Sequence, residues 1–477
     1  MTVWVDVTTS YTWNRPAVGI VRVELELLRH IVSYEEDIRF FRYDNDICQF
    51  IKVSKNEVSS IVDRITSGNS HHHIPNNHIE NKVEQRKRKF ISIRKNEAKH
   101  FLVQALVNSL YFFLSFIDQS YHFSVKNRLN NAKIRLKRLF SAMKQRVSFT
   151  RVAKVDADSK QSITVNDVND DFFGLNDKVI SVGAVWNYIN INNDFYIQKK
   201  NRNLEVFSIS YDLIPIFKPH LCLDSVSGFF PGFYNDVCWY SDHIFCISES
   251  TRLDLQNFIE ISGVPEPSLS VVTLGSDIPD SRSIDNDALE LMVDRIGDYV
   301  LFVSTIERRK NHELIYKVIT RWIDLGIDDF PTFVFVGMPG WGTQDLMKDI
   351  ACDPRVKGKI HILNNMSDNE LAYLYEHSLF TVYPSLYEGW GLPIAESLTY
   401  GKFCIASDTS SMPEAGAGLI ELIEPLDVVR WSDSILGYYM DRADLAEKEL
   451  AIKQQYSRPQ WSTLADDIIN KVLGKNS

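Results

Sequence analysis

The sequence predicts an α/β protein made of two Rossmann-like domains in tandem, the first carrying a helical insertion. Three observations lead there. A chain of 477 residues exceeds what one ordinary core organises, so two domains are expected. Short apolar runs alternate with helical stretches through both halves, the pattern of parallel sheets built from βαβ units. Residues 55 to 150 break that rhythm, and between 81 and 150 they hold 16 Lys and Arg against 3 Asp and Glu.

Taken in order, VWVDVT, IRFFRYD, KVISVGAVW, EVFSISYDLIP, HIFCISES and SLSVVTLG read as strands of the first domain. YVLFVST, TFVFVGM, KIHILNN, FTVYPS and KFCIAS read as strands of the second. Between them SDIPDSRSIDNDALE, residues 276 to 290, is acidic, polar and without apolar periodicity, which places the interdomain linker there. The expected domains are residues 1–285 and 286–455, with 456–477, including Trp461, returning to pack on the first.

Within the insertion, about residues 55–150, Ala132, Leu136, Leu139, Phe140, Met143 and Val147 share one helical face, with basic residues around the other. Phe101 to Ile117 is more apolar, yet Gln104, Asn108, Tyr111 and Ser115 form a polar stripe. A bilayer span needs roughly 17 to 25 mainly apolar residues. The two stretches fit either a core helix with a solvated basic neighbour or helices lying in a membrane interface. Their charge points to an anionic surface as partner.

Composition narrows the functional classes. With 44% hydrophobic and 24% charged residues the chain is that of a soluble globular protein, and a net charge of -10 argues against general nucleic-acid binding. Six cysteines (Cys48, Cys222, Cys238, Cys246, Cys352 and Cys404) are scattered without a CxxC pair, which predicts reduced thiols in a cytosolic compartment and no zinc site. The His71 to His78 cluster sits in an Asn-rich stretch without carboxylate or cysteine support, so it reads as a surface loop rather than a metal site. The opening MTVWVDVTTSYTW lacks the basic and apolar regions of a signal peptide and reads as the first strand.

The richest stretch is YEGWGLPIAESLTYG, Tyr387 to Gly401. Pro393 suits the first turn of a helix and Gly401 its end, which predicts a helix over 393–400 with Glu396 in its first turn. The preceding Gly389-Trp390-Gly391 turn, continued by Leu392, lets backbone N–H groups approach a ligand, and the positive helix end favours a phosphate. Glu396 then suits a pair of vicinal hydroxyls such as those of a ribose, with Glu388 on the other side of the phosphate. A glutamate near a helix start is also favoured by the dipole alone.

With its flanks, VYPSLYEGWGLPIAESLTYGKFCIASDTSSMPE, residues 382–414, resembles the donor-binding motif of family 4 of the retaining glycosyltransferases, which have the two-domain GT-B fold. STIERRKNHELI, residues 304–315, resembles the segment in which a basic pair meets the donor diphosphate; here the pair is Arg309 and Lys310, with Arg308 where a proline is usual. VFVGMPGWG and MSDNELAYLYEHS also match, and the resemblance puts the nucleotide base near Leu363 to Met366. In the first half, WNRPAVGIVRVELELLRHI matches the strand-loop-helix start of the family, where Gly19 permits close approach of backbone to substrate or simply makes a tight turn. VGAVWNY, SDHIFCISESTRLDL and VVTLGSD extend the match to most of the chain outside residues 45 to 170.

ISYDLIPIF, residues 209–217, departs from the family pattern. The family commonly reads His-Asp-Leu-Ile-Pro there, with the histidine beside the reacting sugar, but this chain has Tyr211. A phenol, with a pKa near ~10, is a poorer proton carrier at neutral pH than imidazole. Asp212 is the adjacent polar candidate, or else a cap of the following turn.

The resemblance implies transfer of a hexose from a nucleotide diphosphate sugar to a glycan or lipid-linked oligosaccharide in bacterial surface polysaccharide synthesis, with retention at the anomeric carbon. No cofactor is implied beyond the nucleotide diphosphate sugar as co-substrate, GDP-mannose by family frequency with UDP and dTDP sugars also open, and no metal is required. In these terms Glu388 holds the donor sugar, with Tyr211 and Asp212 as catalytic neighbours. Arg309, Lys310, Glu396, Gly389, Trp390, Gly391, Leu392 and Gly19 bind the donor. The implied location is cytoplasmic, or peripheral on the inner face of the cytoplasmic membrane. A nucleotide-sugar epimerase or phosphorylase of the same architecture would instead consume donor without acceptor or require free phosphate. A non-catalytic glycan-binding scaffold would bind no nucleoside diphosphate.

Overall fold

The computed structural model describes residues 1–13, 19–34, 36–45, 47–66, 172–188, 190–276 and 287–475. The chain divides into two compact units: residues 1–13, 17–63 and 169–477, which hold both sheets, and residues 14–16 and 64–168. The basic stretch 81–150 with its two expected helices, and the His71 to His78 cluster, lie outside the described residues.

The first sheet comprises β1 (Val3–Asp6), β2 (Ile38–Asp44), β3 (Gln49–Val53), β4 (Lys178–Ser181), β5 (Glu205–Ser210), β6 (His243–Cys246) and β7 (Ser268–Val271). Its order is β3-β2-β1-β4-β5-β6-β7. Every neighbour pair is parallel except β3 on β2, which are antiparallel with Phe40 opposite Val53. The second sheet comprises β8 (Tyr299–Val303), β9 (Thr332–Val336), β10 (Ile360–Leu363), β11 (Thr381–Tyr383), β12 (Cys404–Ser407) and β13 (Glu421–Ile423), in the order β10-β9-β8-β11-β12-β13 and parallel throughout. This is the tandem α/β architecture that the apolar runs predict.

Local chemistry explains the elements. β8 is a continuous apolar run because helices cover both faces of its sheet. The His312–Asp324 helix buries Leu314, Ile315, Val318, Ile319 and Trp322 at helical spacing against that sheet. The Asp368–His377 helix starts with a capping box between Ser367 and Glu370.

Three features differ from the sequence reading. β3 and β13 are absent from it, since an edge strand of five residues and an acidic one of three show too few alternations to register. The expected linker is shorter at its C-terminal side, because Asp287–Ile296 is a helix whose Leu289 and Val293 reach the core; Asp287 and Glu290 in its first turn suit the helix dipole.

The C-terminal helix, Trp461–Leu473, packs on the Ile20–Ile31 helix beside the first sheet. A Cβ on Gly275 would come within 2.5 Å of Trp461, and Ser276 donates its N–H to the Pro459 carbonyl at 3.0 Å. All six cysteines are free. Among the described residues no helix is long and apolar enough to cross a membrane.

In both sheets chain order reverses beside the first strand, between β1 and β4 and between β8 and β11. Ligands of open α/β sheets bind outside the carboxyl ends of the strands at such a point. At the first reversal lies a buried acidic pair. Asp6 accepts the Thr8 N–H at 2.9 Å, the Thr8 hydroxyl, and the Ser181 hydroxyl at 2.9 Å. Glu24 accepts the Ser10 N–H at 2.8 Å, and its other oxygen lies 2.0 Å from where a Cβ on Gly183 would stand. Burial and the Asp6 charge push the Glu24 carboxyl up to about 8.

The folded chain therefore keeps a proton on Glu24 between pH 4.5 and about 8 that the unfolded chain releases, and stability falls as pH rises through that window. Glu24→Gln should flatten the slope, by on the order of 3 kcal/mol between pH 5 and 8. Urea unfolding at the two pH values measures it, and parallel losses in the two proteins would refute a protonated Glu24.

Candidate active site

The second reversal gathers the residues that carry charge. Leaving β8, the chain makes a 3-10 turn over Arg308–Lys310, and Asn311 at φ 61 separates that turn from the His312–Asp324 helix. Asn311 is pinned by donating its amide to the carbonyls of Pro384 and Pro425, at 3.1 and 2.9 Å. Leaving β11, the chain enters the loop of the glutamate motif.

Arg309 and Lys310 converge on Glu388. Arg309 Nη1 lies 2.6 Å from Glu388 Oε2, and Lys310 Nζ 2.6 Å from Oε1. Arg309 also pairs with Glu307 at 2.9 Å and donates to the Tyr387 carbonyl at 2.8 Å. Lys310 donates to the Tyr383 hydroxyl at 2.8 Å. Burial alone would push the Glu388 carboxyl up, but the guanidinium and ammonium overcome it and hold it at about 2. Burial and the Arg309 charge lower the Lys310 ammonium, against the pull of Glu388.

The loop around Glu388 is tied on both sides. Glu388 donates its N–H to Ser410 Oγ at 2.9 Å, and Ser411 Oγ donates to the carbonyls of Glu388 and Trp390 at 3.1 and 2.7 Å. Gly389 presses on the first sheet's residues, for a Cβ there would stand 2.1 Å from the Tyr211 carbonyl oxygen. Thr251 Oγ1 lies 3.3 Å from both the Tyr211 and the Gly389 carbonyls. Tyr387 donates to Asp254 at 2.8 Å, and Glu414 accepts the N–H groups of Glu249 and Ser250, at 2.7 and 2.9 Å, at the start of the Glu249–Ser262 helix. Trp390 packs partly on the core of the second sheet.

Gly391, at φ 117, is the N-cap of the helix Leu392–Thr399, and Gly401 at φ 69 follows its end. The helix begins one residue earlier than the sequence predicts, because the left-handed glycine caps it and leaves Pro393 second. Glu396 consequently lies past the first turn, which holds no acidic residue. It accepts the Tyr375 hydroxyl at 2.9 Å, and its other oxygen is 4.0 Å from Arg22 Nη1. Burial raises its carboxyl, and Arg22 and Tyr375 oppose the rise.

Gly19, at φ 53, is the N-cap of the Ile20–Ile31 helix that carries Arg22, and among the described residues no atom lies within 4 Å of where a Cβ would stand; the loop before it lies outside the described residues. Tyr211 is buried and donates to the Val182 carbonyl at 2.5 Å, and burial with the Glu24 charge sets its phenol well above the ordinary value. Asp212 accepts the Ile214 N–H at 3.1 Å, the turn-capping role weighed for it, and burial raises its carboxyl while the Arg309 charge lowers it.

Sequence reasoning missed Arg22, Tyr375, Tyr383 and Glu307. Arg22 meets Glu396 across 374 positions of chain, a contact no local pattern announces. Tyr383 closes the quoted strand run, and Glu307 stands two places before Arg309, so both were in view without a signal of their role.

Comparisons with known proteins place similar sequence over the second sheet. The family model described as glycosyl transferases group 1 matches residues 294–435. The serotype-specific mannosyltransferase WbdA of Escherichia coli is 26% identical over 198 residues, covering 40% of this chain and 24% of WbdA. The O-antigen chain mannosyltransferase B of Escherichia coli is 32% identical over 179 residues, covering 36% of this chain and 45% of that protein. The chain thus spans less than half the length of these curated relatives. Among solved structures, TarM superimposes with a TM-score of 0.45 at 15% identity, over 63% of this chain and 55% of TarM. Anabaena Alr3699/HepE in complex with UDP gives 0.45 at 15% identity, over 62% of this chain and 79% of that one.

Proposed function

We propose that this chain, whose residues 294–435 match the family model described as glycosyl transferases group 1, is a member of that family and transfers mannose from a nucleotide diphosphate sugar to a hydroxyl of a glycan or lipid-linked oligosaccharide in the synthesis of a bacterial surface polysaccharide. One observation carries the reading: Arg309, Lys310 and Glu388 converge at the second topological reversal, beside the start of the Leu392–Thr399 helix. Mannose is supported by what the matching Escherichia coli proteins are named for; GDP as its carrier is part of the proposal.

Departure of the nucleoside diphosphate develops negative charge. Arg309, Lys310 and the N–H groups of the helix start supply the positive field to meet it, a role a metal fills elsewhere. Glu388 then steadies positive charge at the sugar, and Glu396, with Tyr375 and Arg22 fixing its oxygens, binds the ribose. Attack on the same face as the leaving group gives retention. Tyr211, its hydroxyl donated to the Val182 carbonyl, holds the chain beside the site rather than carrying a proton. The positive surplus of residues 81–150 supports docking on an anionic membrane surface, tested by salt-sensitive binding to anionic but not neutral liposomes.

The test is a panel of nucleotide sugars by thermal shift in EDTA, followed by NMR of the product. GDP-mannose at about 100 times its Kd should stabilise the chain by about 2.7 kcal/mol, and the product should keep the donor's anomeric configuration. A chain that binds no nucleoside diphosphate is a scaffold; consumption of donor without acceptor makes it an epimerase.

A further inference from the structure

We propose that Tyr383 is a positioning residue that takes over Glu388 when the donor's diphosphate draws Arg309 and Lys310 away. The inference rests on the donor-site reading above.

The two cations have counterions within the protein. Glu388 occupies Arg309 Nη1 and Lys310 Nζ at 2.6 Å each, and Glu307 occupies Arg309 Nη2 at 2.9 Å. Two positive charges stand against two carboxylates, so an arriving diphosphate competes with Glu388 for its partners. Glu388 is buried, its side chain 8% exposed. A buried carboxylate stripped of its donors is costly, and the exchange proceeds only if another donor holds it.

Tyr383 is the donor whose hydroxyl the geometry places on the carboxylate, with the Ser385 hydroxyl also near it. The Tyr383 hydroxyl lies 3.2 Å from Glu388 Oε1 and 2.8 Å from Lys310 Nζ. The ammonium has no lone pair and the ionised carboxylate no proton, so the phenol must accept from Lys310 and donate to Glu388. The proton is therefore already aimed at the carboxylate before Lys310 leaves. The ring cannot follow the lysine: it is 2% exposed, and it packs edge-on against Phe302 at 6.1 Å, which in turn stacks on His312 at 4.0 Å.

GDP binding by calorimetry to the unaltered chain, Tyr383→Phe, Glu388→Gln and the double variant tests the idea. Glu388→Gln should tighten GDP about tenfold by removing the competing anion. Tyr383→Phe should weaken GDP about fivefold, yet change it less than about twofold when combined with Glu388→Gln. A phenol that only supports the fold would weaken binding equally in both backgrounds, and that result overturns the proposal.

Should Tyr383→Phe not fold, a crystal of the unaltered chain with GDP decides. Glu388 hydrogen-bonded to Tyr383 and parted from Lys310 supports the exchange; Glu388 still on Lys310 overturns it. Failure of the unaltered chain to bind either GDP or UDP defeats the donor-site reading, and this proposal falls with it. Bound GDP with independent effects of the two substitutions defeats this proposal alone.

Discussion

Lys310→Met is expected to lower sugar transfer by about 10² to 10³-fold while leaving a folded protein. The loss is what removing one preorganised stabiliser of developing negative charge costs, about 2.7–4 kcal/mol. Folding survives because methionine fills the buried stem of the lysine and Glu388 keeps Arg309 at 2.6 Å. The substitution also has a signature in acid. Glu388 is depressed to about 2, so its contribution to stability is present above the unfolded value of 4.5 and is lost as pH falls toward about 2. Without Lys310 the folded value rises, and acid unfolding should begin at a higher pH. Acid titration by circular dichroism reads this, and an unchanged midpoint would show that Lys310 does not hold Glu388 in solution.

Gly389→Ala is expected to destabilise the chain by about 3 kcal/mol and to abolish nucleotide binding. The added methyl would stand 2.1 Å from the Tyr211 carbonyl oxygen and 3.1 Å from Asp212 Cβ, and the first of these is backbone that cannot rotate away. Relief requires moving the Glu388 loop off the first sheet, with loss of the Thr251 and Tyr387 contacts. Gly437→Ala is the contrasting case. It lies within the helix Val428–Met440 with no atom of the described residues within 4 Å of the new atom, so it should stabilise by about 0.5–1 kcal/mol. Urea unfolding compares the two, and equal small effects would mean that Gly389 is not under compression.

These predictions draw unevenly on the sequence. Most of the strands were legible because parallel strands covered on both faces must be continuous apolar runs, as in YVLFV and TFVFV. β3 and β13 were not, being held by pairing to β2 and β12 rather than by their own pattern. The helix after the glycine turn was legible to one residue, and the error lay in the left-handed Gly391, whose conformation is set by the packed loop before it.

The candidate site was legible as a set of residue types but not as a set of pairs. Glu388 lies 78 positions from Lys310, and nothing in either stretch says that they meet at 2.6 Å. That Tyr211 donates its hydroxyl to a carbonyl, and that Tyr375 and Arg22 address Glu396, are likewise products of topology, which brings distant loops to one end of each sheet.

The most direct measurement is a crystal structure with GDP. The account predicts the diphosphate within hydrogen-bond distance of Arg309 and Lys310 at the start of the Leu392–Thr399 helix, with the ribose hydroxyls on Glu396. A nucleotide bound elsewhere, with both cations still closed on Glu388, would contradict it.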